Sequence, residues 1–113
     1  MQFVRVANKA EFENRRWKRV TLLGRKLAVF REPDDSYYAI EVACKHQNWD
    51  LTTGKIDGDI VVCPRHGWVY HLKTGECLSH DSTPLRRYEV RIVGEEIWVS
   101  LLPVEKAADK SPD

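Results

Sequence analysis

Two short clips of ligand-type residues dominate the middle of the chain. Cys44-Lys45-His46 is followed, after sixteen residues, by Cys63-Pro64-Arg65-His66. Two thiols and two imidazoles in such pairs suit a soft or borderline metal, either zinc or an iron-sulfur centre, provided the fold brings both clips to one place. The chain holds only three Cys and four His. Four of those seven falling into two tight pairs argues against unrelated core or surface positions.

The sequence around the clips reads as β-structure. Gln2–Ala7, "RVTLLG" and "KLAVFRE" around Gly24, and "SYYAIEVA" running up to Cys44 are short runs rich in β-formers. "EPDDS" at Glu32–Ser36, "DGD" at Asp57–Asp59 and "KTGE" at Lys73–Glu76 have turn composition, which predicts antiparallel strands. After Pro84 the alternation of Tyr88, Val90 and Ile92 against Arg87, Glu89 and Arg91, then Gly94, Ile97 and Val99, predicts a closing hairpin with one wet face. Asn8–Trp17 is the one segment that predicts a helical turn. These elements make an all-β chain: an antiparallel β-sandwich or barrel base with an inserted, loop-rich metal-binding part. The expected division is a single domain over 1–102, with 1–43 and 85–102 as the base and 44–84 as the insert. Residues 103–113 are polar and unpatterned, which predicts a flexible tail.

Charge and composition narrow the function. With 113 residues, 18 Lys and Arg, 17 Asp and Glu and a formal charge of +1, the chain carries no basic field for nucleic acid or an anionic membrane. It has neither a secretion-type apolar start nor a run of about 18 apolar residues, so a cytoplasmic protein away from the membrane is expected. An odd number of cysteines without a secretion signal argues for metal or redox chemistry over a disulfide framework. No catalytic triad, paired carboxylates or phosphate loop is legible, so catalysis by this chain alone is not expected.

The spacing C-x-H, sixteen residues, C-x-x-H, followed by "HGW" and within "GDIVVCPRHGW" and "LKTGECL", closely resembles the Rieske 2Fe-2S motif. The resemblance implies the Rieske fold and one 2Fe-2S cluster, with Cys44 and Cys63 on one iron and His46 and His66 on the other. It also implies an electron carrier that passes electrons from a flavoprotein reductase to a terminal oxygenase, such as an aromatic-ring dioxygenase. A variant is the small subunit of a nitrite reductase, and a structural zinc module is the alternative from another class. Two thiolates cancel the formal charge of two ferric ions and two sulfides, so the oxidised centre is neutral and easier to reduce than an all-cysteine one. The second ring nitrogens of the ligand histidines make a pH-dependent potential expected.

High-potential relatives carry a disulfide and a serine in these clips, where this chain has Trp49, Arg65 and Trp68. Tyr70 remains where the family places a phenol near a ligand sulfur. This predicts a potential near the low end of the range of about −150 to +300 mV. Cys77 reads as packing, and His71 and His80 as ordinary histidines without a partner Cys. Trp68 is expected to seal the cluster and Pro64 to lie on a docking face. Lys45 and Arg65 are expected to add positive charge beside it.

Overall fold

A computed structural model describes residues 2–45 and 48–104. Among the described residues, ten strands form three antiparallel sheets. The outer sheet has the order β1 (Phe3–Asn8), β10 (Glu96–Ser100), β9 (Val90–Val93). The middle sheet is β2 (Trp17–Leu22), β3 (Arg25–Arg31), β4 (Tyr37–Glu41), β8 (Arg87–Tyr88), and a third is β5 (Lys55–Asp57), β6 (Ile60–Val62), β7 (Val69–His71). The all-β, antiparallel reading holds, and the expected turns join β3 to β4, β5 to β6, and follow β7.

β3 explains how the layers stack. Leu27, Ala28, Val29 and Phe30 are all fully buried, whereas a strand with one wet face would alternate. Leu27 and Val29 belong to a core shared with Phe12, Ile97 and Val99, while Ala28 and Phe30 belong to a core shared with Leu51, Val61, Tyr70 and Leu72. The middle sheet is therefore covered on both faces, by the outer sheet on one side and by the metal-binding insert on the other. Cys44 and Cys63 are members of the insert-side core, so both thiols point inward.

Three details depart from the sequence expectation. Between Pro84 and Gly94 the run is two strands: Tyr88 pairs with Ala39 in the middle sheet, whereas Val90 pairs with Val99 in the outer one. The chain changes sheets at Glu89, whose N–H donates to Ser100 Oγ and whose carbonyl accepts from Ser100 N–H. Tyr88 is thus buried between layers, but Ile92 reaches the rim at 39% exposure. The helical turn expected in Asn8–Trp17 is present as the 3-10 turn Lys9–Phe12, with the Glu11 carboxylate accepting the Asn8 N–H. A second 3-10 turn, Leu51–Thr53, has no anticipating pattern in the sequence. The described chain reaches Val104, whose N–H donates to the Arg87 carbonyl, and the rest of the expected tail lies outside the described residues.

Asp50 caps that second turn, accepting from Thr52 N–H at 2.9 Å and Thr52 Oγ1 at 2.6 Å while pairing with Arg19. Burial pushes the Asp50 carboxyl up, but the Thr52 hydrogen bonds and the Arg19 guanidinium outweigh it and leave the group below the usual carboxylate range. A depressed folded-state value stabilises the fold above the ordinary carboxylate pKa and ceases to do so as pH falls through the folded value. Asp50→Ala is expected to lower stability by about 1 kcal/mol in urea unfolding at neutral pH. The gap to the parent should narrow as the solution is made strongly acid.

Candidate metal centre

The two clips are closed by the same pair of backbone hydrogen bonds. The first is framed by the bridge between Ala43 and Asp50, the second by the pairing of Val62 with Val69. In the first, Cys44 N–H donates to the Trp49 carbonyl at 2.8 Å and Asn48 N–H donates back to the Cys44 carbonyl at 2.6 Å. In the second, Cys63 N–H donates to the Trp68 carbonyl at 2.8 Å and Gly67 N–H to the Cys63 carbonyl at 2.9 Å. Both bonds must close on a residue in the left-handed region, which Asn and Gly tolerate best. Asn48 sits there at φ 58° and Gly67 at φ 75°.

This repeat was written in the sequence as Cys, four residues to Asn or Gly, then Trp, in both clips. The spacing of the histidines, which differs between the clips, hid it.

The closure sorts the side chains. Cys44 and Cys63 are 1% and 2% exposed and neither forms a disulfide, while Pro64, Arg65, His66 and Gly67 are exposed. Thiols thus face the core and the His66 turn faces solvent. His46 lies outside the described residues.

Gly54 keeps the second clip in place. A Cβ there would lie 2.2 Å from the Val62 carbonyl oxygen and 2.9 Å from Pro64 Cδ, so only glycine lets the Leu51–Thr53 turn pack this closely against the clip.

Tyr70 links the two clips from below. It is fully buried on β7, accepts the Lys45 N–H at 2.9 Å, and places its hydroxyl 3.6 Å from Cys44 Sγ. Burial, with the Cys44 sulfur alongside, pushes the phenol well above its ordinary value. The hydroxyl keeps its proton and can donate it to the sulfur.

The flanking cations differ from expectation. Lys45 Nζ is 2.9 Å from Glu41 Oε1, which also accepts the Arg86 N–H at 3.0 Å. Its charge is balanced by a nearly buried carboxylate, and the expected excess of positive charge beside the first clip does not arise from it. Arg65 instead lies over the Trp49 ring, 5.2 Å from the centroid.

Trp68 packs on the insert-side core and stacks on His80 with 4.1 Å between centroids, which agrees with a sealing role. His80 is held by Ser79 Oγ at 2.7 Å, and that hydroxyl oxygen accepts the Val69 N–H. His71 lies on β7 and accepts the Thr74 N–H, and Cys77 packs partly buried on the same core as Trp68. The stack on Trp68 is a long-range contact that no local spacing announces.

Two buried free thiols on matched loops, one exposed imidazole and a phenol beside a thiol form a donor set that fits a mixed Cys/His cluster. The family profile described as Rieske [2Fe-2S] domain matches residues 2–94. The chain belongs to this family. Its cofactor is one Rieske-type 2Fe-2S cluster.

The chain is 39% identical over 75 residues to Ferredoxin CarAc of Metapseudomonas resinovorans, covering 66% of this chain and 69% of that protein. It superposes with a TM-score of 0.79 and 30% identity on a chain from a complex of reduced oxygenase and oxidized ferredoxin in carbazole 1,9a-dioxygenase, covering 92% of this chain and 97% of that one. The ferredoxin of carbazole 1,9a-dioxygenase from Nocardioides aromaticivorans IC177 gives a TM-score of 0.75 at 28% identity, covering 88% and 98%. Several other curated relatives are larger proteins, of which this Rieske chain spans less than a third.

Two outcomes follow for the Rieske centre. Tyr70→Phe removes a donor to the Cys44 sulfur and should lower the midpoint potential in a redox titration. A net hydrogen bond of about 1 kcal/mol corresponds to a shift on the order of 40 mV for one electron. Gly54→Ala should leave the outer sheet folded but lower the iron bound per chain, measured by metal analysis of the purified protein.

Proposed function

We propose that this chain is a soluble, cytoplasmic one-electron carrier, a Rieske ferredoxin that takes an electron from a flavoprotein reductase and hands it to a terminal oxygenase. The ligand set is Cys44 and Cys63 on one iron and His46 and His66 on the other. The whole carrier is a single domain over 1–102, with 44–84 as the cluster-binding part. The observation that carries this reading is the pair of matched clips with their thiols buried and the His66 turn exposed. Similarity over nearly the full length of ferredoxin chains supports it. Among the described residues no helix is long and apolar enough to cross a membrane.

The bound cluster supplies one reversible electron at a potential above that of all-cysteine ferredoxins. The remaining work belongs to the chain. Cys44 and Cys63 hold their thiolate charge in the core, where low dielectric strengthens each interaction with it. The Tyr70 hydroxyl is aimed at one of these sulfurs and favours the more negative, reduced state. The His66 turn brings the electron's exit to the surface, where Pro64 and Arg65 are also exposed and a partner protein can approach. Trp68 and His80 cover one flank and limit water there. With only one phenol in the role that relatives of high potential share with a serine, the midpoint should lie near the low end of about −150 to +300 mV.

The purified protein should be coloured, contain iron and acid-labile sulfide, and give a rhombic EPR spectrum after dithionite reduction. His66→Ala should abolish that spectrum, while Cys77→Ala should leave it intact. A colourless zinc protein would end the carrier reading. Loss of the cluster in the Cys77 variant would end the ligand assignment. Electron transfer assayed from a flavoprotein reductase to an aromatic-ring oxygenase, with a nitrite reductase large subunit as the rival acceptor, would identify the partner.

A further inference from the structure

The two clips leave the fold from different elements. The first extends the end of β4 in the middle sheet, and the second is the tip of the β6–β7 hairpin in the third sheet. The backbone bonds that close each clip lie within that clip. If both clips hold one cluster, as proposed above, their separation must be set by something that reaches across. Tyr70 does this at the base, by way of the Lys45 N–H and the Cys44 sulfur. At the tip, the side chain of Arg65, between Cys63 and His66, lies over the ring of Trp49, 5.2 Å from its centroid.

We propose that Arg65 and Trp49 form a clasp between the clips, a positioning contact that holds the two ligand pairs at their working separation and so governs how tightly the cluster is kept. The geometry suits the task. Trp49 is the residue whose carbonyl receives the Cys44 N–H, so a force on its indole reaches the ligand loop through one residue. Arg65 is two residues beyond Cys63 on the opposite clip. A guanidinium within about 6 Å of an indole centroid is attracted by the ring's negative face, and its planar shape lies flat against the ring. The charge of Lys45 is spent on Glu41, whereas that of Arg65 is directed at the other clip. Trp49 is 41% exposed, and Arg65 is exposed too, so both can be exchanged without opening a core cavity.

The test compares Trp49→Leu, Trp49→Phe, Arg65→Gln and the Trp49→Leu/Arg65→Gln pair with the parent, all as purified holoproteins. The readouts are the rate of iron release to a chelator, followed by bleaching of the visible bands, and the EPR spectrum of the reduced protein. Trp49→Leu and Arg65→Gln should each speed release about two- to fivefold, the range expected for an exposed cation–π contact. The double variant should release no faster than the faster single one, because both changes remove the same contact. Trp49→Phe should recover most of the parent's rate and EPR line positions, whereas Trp49→Leu should shift those lines although it leaves every charge in place. Multiplying effects in the double variant, or a Phe variant no better than Leu, would overturn the clasp. So would variants that match a cluster-bearing parent in both readouts. A parent protein without iron would instead overturn the ligand assignment on which the clasp rests.

Discussion

Each cysteine clip is held shut by a ring of two backbone hydrogen bonds, and the remaining features of the proposed centre depend on those rings. The bond from a cysteine N–H to a carbonyl five residues on, and the return bond to the cysteine carbonyl, close the mouth of each clip into a cup. The cup needs one left-handed residue, which Asn48 and Gly67 supply. In both clips the thiol points into the core, and in the second the outer turn, Pro64 to Gly67, faces solvent. Buried sulfur donors and an exposed imidazole suit the electron carrier proposed above. The first lie in a low-dielectric core, and the second gives a partner access.

The cups would be of little use on a yielding base. The middle sheet supplies rigidity because it is buried on both faces, as the four consecutive fully buried residues of β3 show. Burial of apolar area contributes roughly 25 cal/mol per Å². A strand that contributes on both sides couples the outer sheet to the insert through a single element. Val42 and Leu51 are both fully buried, and Leu51 N–H donates to the Val42 carbonyl, so the first cup is riveted at its mouth. The second gets its rigidity from β6 and β7, with Gly54 allowing the neighbouring turn to press against it.

What could be read from the sequence was what short spacing encodes. The Cys/His clips, the turns at Asp57–Asp59 and Lys73–Glu76, and the alternating strands are local patterns, and they recur in the fold. The four-residue interval from each cysteine to Asn48 or Gly67 is equally local and equally legible, although the unequal histidine spacing masks it. Other features depended on residues far apart in the chain. The Trp68–His80 stack, the pairing of Glu41 with Arg86 N–H, and the contact of Arg65 with Trp49 exist only after the sheets have assembled. The break at Glu89 was hidden for a related reason: strand alternation continues across a change of sheet, so the pattern of side chains carries no mark of the crossover. Lys45 looked like a free cation because its carboxylate partner, four residues back on β4, becomes nearly buried only in the folded chain.

Mixed ligation of one cluster by two buried thiolates and two imidazoles is the claim on which the whole description turns. Mössbauer spectroscopy of the iron-57-enriched protein, oxidised and then reduced, tests it most directly because it reports each iron separately. Two inequivalent sites of equal area are expected, with the ferrous character of the reduced protein confined to the site bound by nitrogen. Two equivalent irons in the oxidised protein, or reduction at a site bound only by sulfur, would contradict it.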